Sequence, residues 1–515
     1  MIKRVVIVGG GSAGWLTAGL IATEHRSAEP GGLQVTVLES PDVASIGVGE
    51  GTWPTMRDTL RRIGVSETDF VRECDASFKQ GSKFVGWVTG ATGDHYYHPF
   101  MLPQGYTETN LVAQWQARHA ERRFAEVVSH QPHLCEQHKA PKQIATPEFA
   151  AVANYAYHLD AGKFGRFLQH HCTGRLGVRH VQDHVTGIHS SDDGDIASLA
   201  TREHGNVEGD LFIDCTGFLS LLLGKHYGVP FVSRKDVLFN DSALALQVPY
   251  ADDNSPIASH TISTAQAAGW IWDIGLPTRR GVGYVYSSAH TTDAAAESAL
   301  RAYVLQGAGP AAALALEPRK LSFNPGYRAK FWHRNCVAVG MSAGFIEPLE
   351  ASALALIEMA AAMISDEMPA TRAAMDIAAR RFNDAFEYRW GRVIEFLKLH
   401  YVLSGRSDAY WVDIREPATV PQRLRELLAL WRHQPPSRHD FYRVEEIFPS
   451  ASYQYVLYGM GFQPEPRAHP RRVDDAALAE RFFGESAALA GKLLAGLPSN
   501  RELLQQIAKH RMQRI

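Results

Sequence analysis

The sequence predicts an α/β protein, with a Rossmann-like parallel sheet followed by a mostly helical C-terminal region. A short apolar run at residues 4–8 leads into a glycine-rich turn and then into a helical pattern from Ser12 to about Glu24. Short apolar runs recur further along, and from about residue 370 the pattern is helical almost throughout. Buried strands that alternate with helices are typical of a parallel sheet covered on both faces.

Length and composition indicate a globular protein with several domain-sized parts. Of 515 residues, 45% are hydrophobic and 21% charged, and the formal net charge is −3. No basic field therefore favours nucleic acid as a partner. No apolar stretch reaches the roughly 18 residues that a membrane span needs, so we expect no membrane association. The five cysteines are widely spaced and form no CxxC pair, which favours a reduced, cytoplasmic setting.

Further elements follow in order after the first strand, turn and helix. Residues 33–38 are expected to form a second strand and residues 52–63 a helix, whereas residues 84–180 are mixed and show no repeat. Later strands and one helix are predicted at residues 193–217 (a hairpin leading into the strand 210–214), 241–249, 270–275, 282–287, 336–340 and 352–366 (the helix).

The C-terminal third favours helices at residues 373–400, 421–430, 474–494 and 501–511. We expect residues 1–370 to form one domain, with substrate-pocket elements inserted at roughly 75–175 and 235–330. Residues 371–515 would form a helical subdomain that completes the pocket. No low-complexity linker separates these parts, so they are expected to share interfaces.

The N-terminal turn carries the GxGxxG pattern as Gly9, Gly11 and Gly14. Because it follows a strand and opens a helix, the pattern predicts a dinucleotide site. The first glycine permits the tight turn, the second lets a pyrophosphate approach, and the third lets helix and sheet pack closely. Main-chain N–H groups at the helix start, including those of Ser12 and Ala13, would bind the phosphates.

Several further residues are expected at this site, and three features of the sequence favour FAD over NAD. Glu39 ends the second strand, where an acid binds ribose hydroxyls. The site lies at the extreme N-terminus, and a second glycine-rich element at residues 46–51 follows the second strand. A late strand at residues 211–214 ends in a small-residue turn, as in two-segment flavoproteins. No second GxGxxG follows a strand, so reducing equivalents would come from NADPH bound without a motif or from another protein. The other expected cofactor-binding residues lie in this glycine-rich element, at the end of the strand 336–340 and shortly after it, and they are Gly47, Gly49, Glu50, Gly340 and Gly344.

Six segments together resemble the tryptophan-halogenase family of flavin-dependent halogenases, over nearly the whole chain. They are Gly9-Gly-Gly-Ser-Ala-Gly14-Trp15, Ile46-Gly-Val-Gly-Glu50, Phe78-Lys79, Gly269-Trp270-Ile-Trp272-Asp-Ile274, Gly283-Tyr284-Val-Tyr286-Ser287 and Phe345-Ile-Glu-Pro348-Leu-Glu350. The resemblance implies an FAD-binding, two-segment Rossmann-like fold of the monooxygenase and halogenase type. It also implies a halogenase that uses reduced FAD, oxygen and chloride or bromide, with the flavin delivered by a separate NAD(P)H-dependent reductase.

In this family, hypohalous acid is thought to pass through an internal tunnel to a separate substrate pocket. Containment makes physical sense, since hypohalous acid in open water would oxidise any thiol or amine. Trp270 and Trp272 match the family's WxWxIP motif, which is thought to keep the activated flavin away from the organic substrate. Gly275 stands where the motif has proline. Pro348 is expected along the same tunnel.

The resemblance assigns the chemistry to Lys79 and Glu350. The ammonium of Lys79 would hydrogen-bond and polarise the hypohalous acid, or become a haloamine. By residue type alone an exposed lysine is the commoner case, and Lys83 is a nearby lysine that does not align. Glu350 would orient the electrophile and take up the ring proton. It could also simply stabilise the helix that follows, and Glu347 is a neighbouring acid.

The segment after Glu350 departs from the family. The family has Glu-Ser-Thr-Gly, and this chain has Glu350-Ala351-Ser352-Ala353. The main-chain N–H groups of Ser352 and Ala353 would still form an anion site at a helix start. We expect the altered site to prefer bromide over chloride.

Four residues are expected in the substrate pocket. His98 and Phe100 resemble the family's H-x-F, whose rings hold an indole, although ordinary loop packing is the alternative. Tyr453 and Tyr455 lie near the family's amino-acid clamp, but the adjacent tyrosine pair expected there is absent. We therefore expect an indole-type or other electron-rich aromatic substrate rather than free tryptophan.

Two other functions fit part of the pattern. A flavin-dependent aromatic monooxygenase would share the flavin site but transfer oxygen directly, and a halogenase-like flavoprotein could lack halogenating activity. A metal site is not expected, because the histidines at positions 95, 98, 170 and 171 and Cys172 lack further ligands at metal spacing.

Overall fold

The computed structural model describes residues 2–42, 49–308, 316–441, 443, 446–465, 469 and 471–514. The chain divides into two compact units. Residues 1–76, 159–234 and 324–390 form the first unit, and residues 77–158, 235–323 and 391–515 form the second.

The strands follow one another along the chain with short connections in many places. In chain order they are β1 (Arg4–Val8), β2 (Gln34–Glu39), β3 (Gly49–Gly51), β4 (Ser77–Lys79), β5 (Gly81–Val85), β6 (His95–Pro99), β7 (Ala156–Asp160), β8 (Arg179–Gln182), β9 (Val185–Ser190), β10 (Ile196–Thr201), β11 (Asn206–Glu208), β12 (Leu211–Asp214), β13 (Phe231–Ser233), β14 (Ser242–Pro249), β15 (Thr261–Gln266), β16 (Gly269–Gly275), β17 (Arg279–Tyr286), β18 (Arg319–Ser322), β19 (Gly326–Arg328), β20 (Trp332–His333), β21 (Cys336–Ala338) and β22 (Gly344–Phe345).

The α-helices of the described residues range in length from 5 to 31 residues. In chain order they are α1 (Ser12–Glu24), α2 (Met56–Arg62), α3 (Glu67–Glu73), α4 (Leu111–Arg118), α5 (Phe124–Val128), α6 (Gln131–Glu136), α7 (Ala161–Arg175), α8 (Asp293–Ala308), α9 (Ser352–Asp366), α10 (Arg372–Val402), α11 (Ala409–Asp413), α12 (Gln422–Trp431), α13 (Ser450–Gly459), α14 (Ala476–Gly496) and α15 (Asn500–Lys509).

The first unit is built on a six-stranded sheet in the order β20-β21-β12-β1-β2-β8. Neighbours from β21 to β8 are all parallel, and β20 is an antiparallel edge strand. The residues of β1 from Val5 to Val8 are buried, as expected of a central strand covered on both faces. The carboxyl ends of β1, β2 and β12 meet at one edge, where ligands bind in such sheets. The predicted α/β fold class is confirmed.

Helices complete the layers of the first unit. α1 is buried continuously from Gly14 to Ala22 and packs against α7 and α9. At the end of β12, the buried carboxylate of Asp214 accepts hydrogen bonds from the N–H groups of Leu222 and Leu223, both at 2.9 Å. These bonds fix the turn that follows the strand.

The second unit contains a seven-stranded sheet in the order β18-β14-β17-β16-β15-β5-β6. All neighbours are antiparallel except β15 and β5. α8 buries Ala296, Leu300 and Val304 against the sheet, and their four-residue spacing places them on one helical face. α13 packs against β6, and α14 packs against α4, α5 and α6.

Elements with a clear periodicity or a flanking motif were predictable. β1, α1 and α9 lie where the sequence predicts them. The mixed region 84–180 contains helices that the sequence did not specify, including α7. α13 was also missed, because nine of its residues from Ser450 to Tyr458 are buried and a helix buried all round has no amphipathic pattern. The C-terminal residues from 391 group with segments 77–158 and 235–323, and α7 belongs to the first unit.

Among the described residues, no helix combines the length and the apolar character needed to cross a lipid bilayer.

Glu358 is expected to make the stability of the fold depend on pH. Its carboxyl group, in α9, is 4% exposed and accepts a hydrogen bond from Thr59 Oγ1 at 2.6 Å. Burial raises its pKa from the ordinary 4.5 to about 8. Between these values the folded chain holds a proton that the unfolded chain has lost. The free energy of unfolding therefore falls as pH rises through this range.

We expect Glu358→Gln, which keeps the shape and stays neutral, to remove this fall and to stabilise the chain at pH 8 by up to a few kcal/mol. Denaturant unfolding at intervals from pH 5 to 8.5 measures the effect. Glu203→Gln, at an exposed carboxylate, is the matched control. A wild-type pH dependence in Glu358→Gln would contradict the prediction.

Candidate active site

The turn between β1 and α1 requires glycine at two positions. Gly9 has a φ of 111°, and a Cβ added there would lie 2.3 Å from the carbonyl oxygen of Cys215. A Cβ added at Gly14 would lie 1.9 Å from the carbonyl oxygen of Gly9. One glycine thus permits the turn, and the other lets α1 pack closely behind it.

The start of α1 fits a pyrophosphate. Gly11 caps the helix without a side-chain hydrogen bond, and the first turn contains no acidic residue. No atom lies within 4 Å of a Cβ built on Gly11, and the hydroxyl of Ser12 donates to the carbonyl oxygen of Ala161 at 3.3 Å. The first N–H groups of the helix, including those of Ser12 and Ala13, have no acceptor within the helix and lie at the positive end of its dipole.

Glu39 lies directly beside this turn. A Cβ at Gly10 would lie 2.0 to 2.5 Å from the three carboxyl atoms of Glu39. The carboxylate accepts a hydrogen bond from Nε2 of His180 at 3.1 Å, and burial raises its pKa. Its position at the end of β2 suits an acceptor for ribose hydroxyls.

The remaining expected cofactor residues are spread over three elements. Gly49 and Glu50 belong to β3, whereas Gly47 lies outside the described residues. Glu50 is half-buried, and burial raises its pKa to about 7.

Gly340 and Gly344 have different surroundings. Gly340 has a φ of 74°, and a Cβ there would lie 2.9 Å from the Cβ of Ala13 at the start of α1. Gly344 pairs with Tyr327 in β19, where a Cβ would lie 2.7 Å from the carbonyl oxygen of Gly326. Gly340 therefore adjoins the turn between β1 and α1, and Gly344 packs against β19.

Glu350 lies at a sharp kink before α9. Glu350 has φ 63° and ψ 9°, and Ala351 has φ 55° and ψ 42°, so two consecutive non-glycine residues adopt the left-handed conformation. Glu350 is 7% exposed, and Glu347 is also buried. Pro348, by contrast, is exposed. Burial therefore does not separate the two acids, but only Glu350 occupies the kink.

The start of α9 fits a small anion. The 15-residue helix begins at Ser352 with no side-chain cap and no acidic residue in its first turn. Ser352 is buried, and Ala353 is exposed. The first N–H groups of this helix lack acceptors within the helix and lie at the positive end of its dipole, where the sequence predicts a halide site.

Lys79 is a buried lysine. It ends β4, opposite Ala156 in β7, and is 1% exposed. Its Nζ lies 5.3 Å from the ring centroid of Phe100, so two residues expected from sequence to act on the substrate are adjacent. Burial lowers the pKa of His158, and the charge of Lys79 lowers it further. A neutral imidazole therefore lies near this ammonium.

Lys83 has a different environment. Its Nζ pairs with Glu136 at 2.5 Å, and it lines an open cavity of about 520 Å³ together with His138, His260 and Tyr303. No residue expected at the active site lines that cavity. The structure therefore separates Lys79 from its neighbour in the sequence.

His98, Tyr453 and Tyr455 are held in the core of the second unit. His98 Nε2 hydrogen-bonds Ser452 Oγ at 2.8 Å, and its ring centroid lies 6.3 Å from that of Tyr455. The Tyr455 hydroxyl donates to the carbonyl oxygen of Met101 at 2.9 Å. Both tyrosines are 1% exposed, and burial raises the pKa of both. Only Phe100, of the four expected pocket residues, is partly exposed.

Trp270 and Trp272 lie in β16 and are buried. Trp272 pairs with Gly283 across the sheet, and a Cβ on that glycine would lie 2.1 Å from the indole ring. Gly283 therefore leaves room for Trp272. The strand ends at Gly275, where a Cβ would lie 3.0 Å from Ile257 and 3.1 Å from the Tyr250 hydroxyl. These side chains fill the space at the position where the family has proline.

Two residues that sequence reasoning missed contact the expected site residues. Trp53 donates its indole N–H to the carbonyl oxygen of Glu350 at 2.7 Å. Ser77, which precedes Lys79 by two residues, donates its hydroxyl to the carbonyl oxygen of Gly275 at 2.5 Å. Both bonds join segments far apart in the chain, so no local pattern could have found them.

The expected residues divide between the two units. The first unit holds the glycine turn, Glu39, Glu350 and the start of α9, and the second holds Lys79, Phe100 and the paired tryptophans. In the part of the chain that the structure describes, no three His, Cys, Asp or Glu side chains are placed to hold a metal ion.

Comparison with known proteins identifies the family. The tryptophan halogenase family model matches residues 4–476. A tryptophan halogenase crystal structure from Shewanella frigidimarina NCIMB 400 is 52% identical, with a TM-score of 0.96, over 100% of this chain and 99% of that one. Tar14, a tryptophan C-6 flavin-dependent halogenase (chlorinase) from taromycin biosynthesis, is 35% identical, with a TM-score of 0.90, over 98% of this chain and 100% of its own.

A similar relationship holds for a curated relative. The 7-chloro-L-tryptophan 6-halogenase KtzR from Kutzneria sp. (strain 744) is 35% identical over 526 residues, which cover 98% of this chain and 99% of that protein. Similarity over the full length of these proteins agrees with the fold and with the glycine turn described above. The chain therefore belongs to the tryptophan halogenase family and is a flavin-dependent enzyme of that family.

Proposed function

We propose that this enzyme halogenates an electron-rich aromatic ring of the indole class, using reduced FAD, oxygen and chloride or bromide. The observation that carries the proposal is the burial of Lys79, whose Nζ lies 5.3 Å from the ring centroid of Phe100. An ammonium is costly to bury, so its place beside an aromatic side chain in a predicted substrate pocket favours a chemical role.

The first unit offers the residues that would hold FAD. The glycine turn and the start of α1 suit the pyrophosphate, and Glu39 suits a ribose. Bound reduced flavin supplies, with oxygen, the oxidising power that converts halide into hypohalous acid. A separate NAD(P)H-dependent reductase would deliver the reduced flavin, since the sequence contains no second dinucleotide-binding turn.

The start of α9 would hold the halide. The N–H groups of Ser352 and Ala353 lie where the helix dipole attracts an anion. The family's serine hydroxyl is missing at Ala351. Loss of a donor weakens the binding of strongly hydrated chloride more than that of bromide, which supports a preference for bromide.

Lys79 would act on the hypohalous acid. Its ammonium can donate to the oxygen and draw electron density from the halogen. Water is excluded at this depth, so the interaction is stronger than in solvent. The low pKa of His158 keeps this imidazole neutral, so it does not add a second positive charge near Lys79.

Glu350 would complete the reaction by accepting the proton that the ring loses. A carboxylate suits this step because proton acceptance follows formation of the carbon–halogen bond. The kink fixes the main chain of Glu350, so the proton acceptor would start from a defined position.

Phe100 and His98 would contact the aromatic ring. The relatives are named for tryptophan, so they give no support to an indole-type substrate in preference to free tryptophan. Tryptophan therefore belongs in any substrate panel beside indole and its simpler derivatives.

The product masses test the proposed reaction. Purified enzyme receives FAD, a flavin reductase, NADH, oxygen, equal bromide and chloride, and a panel of tryptophan, indoles and phenols. We expect halogenated product, with bromide incorporated more than chloride. A +16 mass shift instead would indicate a monooxygenase, and peroxide without organic product would indicate a protein without halogenating activity. More chlorinated than brominated product would contradict the halide preference.

Lys79→Ala tests the proposed role of the buried ammonium. We expect oxygen consumption to continue and halogenated product to fall by about 100-fold or more, because the variant loses the group that activates the halogen. Lys83→Ala is the matched control, since it removes a lysine four residues away. The ion pair of Lys83 is partly exposed and therefore adds little to the stability of the fold. Product from Lys79→Ala at the control rate would contradict the role.

Glu50 is expected to make flavin binding depend on pH. With a pKa of about 7, this carboxyl group is neutral at pH 6 and charged at pH 8.5. Its charge would oppose the anionic phosphates, so the Kd for FAD should rise roughly fivefold over this range. Titration by fluorescence should show a flatter profile for Glu50→Gln, while Glu203→Gln should keep the wild-type profile. An unchanged profile in Glu50→Gln would contradict the assignment.

A further inference from the structure

The peptide bond between Glu350 and Ala351 is held in a costly conformation. Glu350 has a φ of 63° and Ala351 a φ of 55°. Each non-glycine residue in this left-handed region costs about 1 kcal/mol or more. Such a conformation persists only where surrounding contacts determine it.

Hydrogen bonds hold this peptide group at both ends. The indole N–H of Trp53 donates to the carbonyl oxygen of Glu350 at 2.7 Å. The N–H of Ala351 donates to the carbonyl oxygen of Pro348 at 3.0 Å. Together the two bonds fix the plane of the peptide group, and that plane sets both the ψ of Glu350 and the φ of Ala351.

The same plane determines where the anion-binding N–H groups point. Ser352, the first residue of α9, follows Ala351 directly. A rotation of the peptide plane would turn the helix start and the Glu350 side chain together. Trp53 therefore acts on both features through one hydrogen bond.

The position of Trp53 in the chain suits it to hold this peptide group in place. It follows Gly51 at the end of β3 by two residues, so it continues the glycine-rich segment expected to contact the flavin. Six residues later, Thr59 of α2 donates its hydroxyl to Glu358 in α9 at 2.6 Å. The segment from Trp53 to Thr59 is thus bonded to the kink at Glu350 and to α9 at Glu358, two points eight residues apart in the chain.

We propose that Trp53 is a positioning residue, which holds the Glu350–Ala351 peptide plane and thereby aligns the Glu350 carboxylate and the halide-binding N–H groups. The inference rests on the proposed function of Glu350 and of the start of α9. It adds one hydrogen bond, donated by the indole N–H of Trp53, that links the segment after β3 to the proposed halogenation site at Glu350.

The test removes the hydrogen bond and keeps the ring. Trp53→Phe loses the donor, and benzothienylalanine introduced at position 53 replaces the N–H by sulfur at almost unchanged shape. Trp332→Phe is the matched control, because the Trp332 indole also donates to a main-chain carbonyl oxygen, that of Arg334, at 3.0 Å in the same unit.

We expect both changes at position 53 to lower kcat for halogenation about tenfold and to raise the halide KM. The ratio of product to oxygen consumed should fall, while the Kd for FAD stays within about twofold of wild type. Trp332→Phe should leave kcat, the halide KM, the ratio of product to oxygen consumed and the Kd for FAD unchanged. A lower melting temperature alone, with kcat, halide KM and coupling ratio as in wild type, would mean that Trp53 only packs and would overturn the proposal.

Equal losses in the Trp332→Phe control would overturn it as well. Failure of the proposed function is recognised separately, because the wild-type enzyme would then give no halogenated product from the substrate panel. If wild-type enzyme halogenates and the benzothienylalanine variant matches it, only the role of Trp53 fails.

Discussion

Two helix starts in the first unit are left without capping side chains, and the expected chemistry depends on both. α1 begins after Gly11 and α9 after Ala351, with neither a side-chain hydrogen bond nor an acidic residue in the first turn. Relative to a capping Ser, Thr, Asp or Asn, the alanine at α9 costs about 1 kcal/mol and the glycine at α1 only about a few tenths of a kcal/mol. The absence of a capping side chain leaves the first N–H groups and the positive end of each helix dipole available to an anion. The two helices pack against each other, so one helix–helix contact sets the relative positions of the two proposed anion sites.

The burial of Lys79, in the second unit, has a further cost in folding free energy. Burial of an ammonium is unfavourable unless nearby groups compensate for lost hydration. The aromatic face of Phe100 offers one compensating interaction, and the neutral state of His158 avoids adding another positive charge. Strained backbone at Glu350 and a buried charge at Lys79 both oppose folding. Such features are typical of positions retained for chemistry rather than for stability.

Local sequence patterns predicted the structural features that depend on residues close together in the chain. The turn from Gly9 to Gly14 and the helix that begins at Ser352 follow from glycine spacing and periodicity, and the structure places them as expected. Lys79 could be singled out only by resemblance, because residue type alone favours an exposed lysine. The bond from Trp53 to Glu350 spans 297 residues, and no period or motif encodes such a contact. Tyr453 lies in a helix with no amphipathic pattern, so neither the helix nor its burial was predictable.

The departures from the family pattern become intelligible from local geometry. Ala353 lies in the first turn of α9 with helical backbone, so a Cβ is tolerated where the family has glycine. Gly275 leaves room for Ile257 and Tyr250, and its carbonyl oxygen accepts the Ser77 hydroxyl. The change at Ala351 is different from those at Ala353 and Gly275. Alanine has the same backbone strain there as serine but lacks the hydroxyl. Ser352 keeps a hydroxyl where the family has threonine, so of the four changes only that at Ala351 removes a polar group. We therefore expect the change at Ala351 to affect halide selectivity more than the capacity to halogenate.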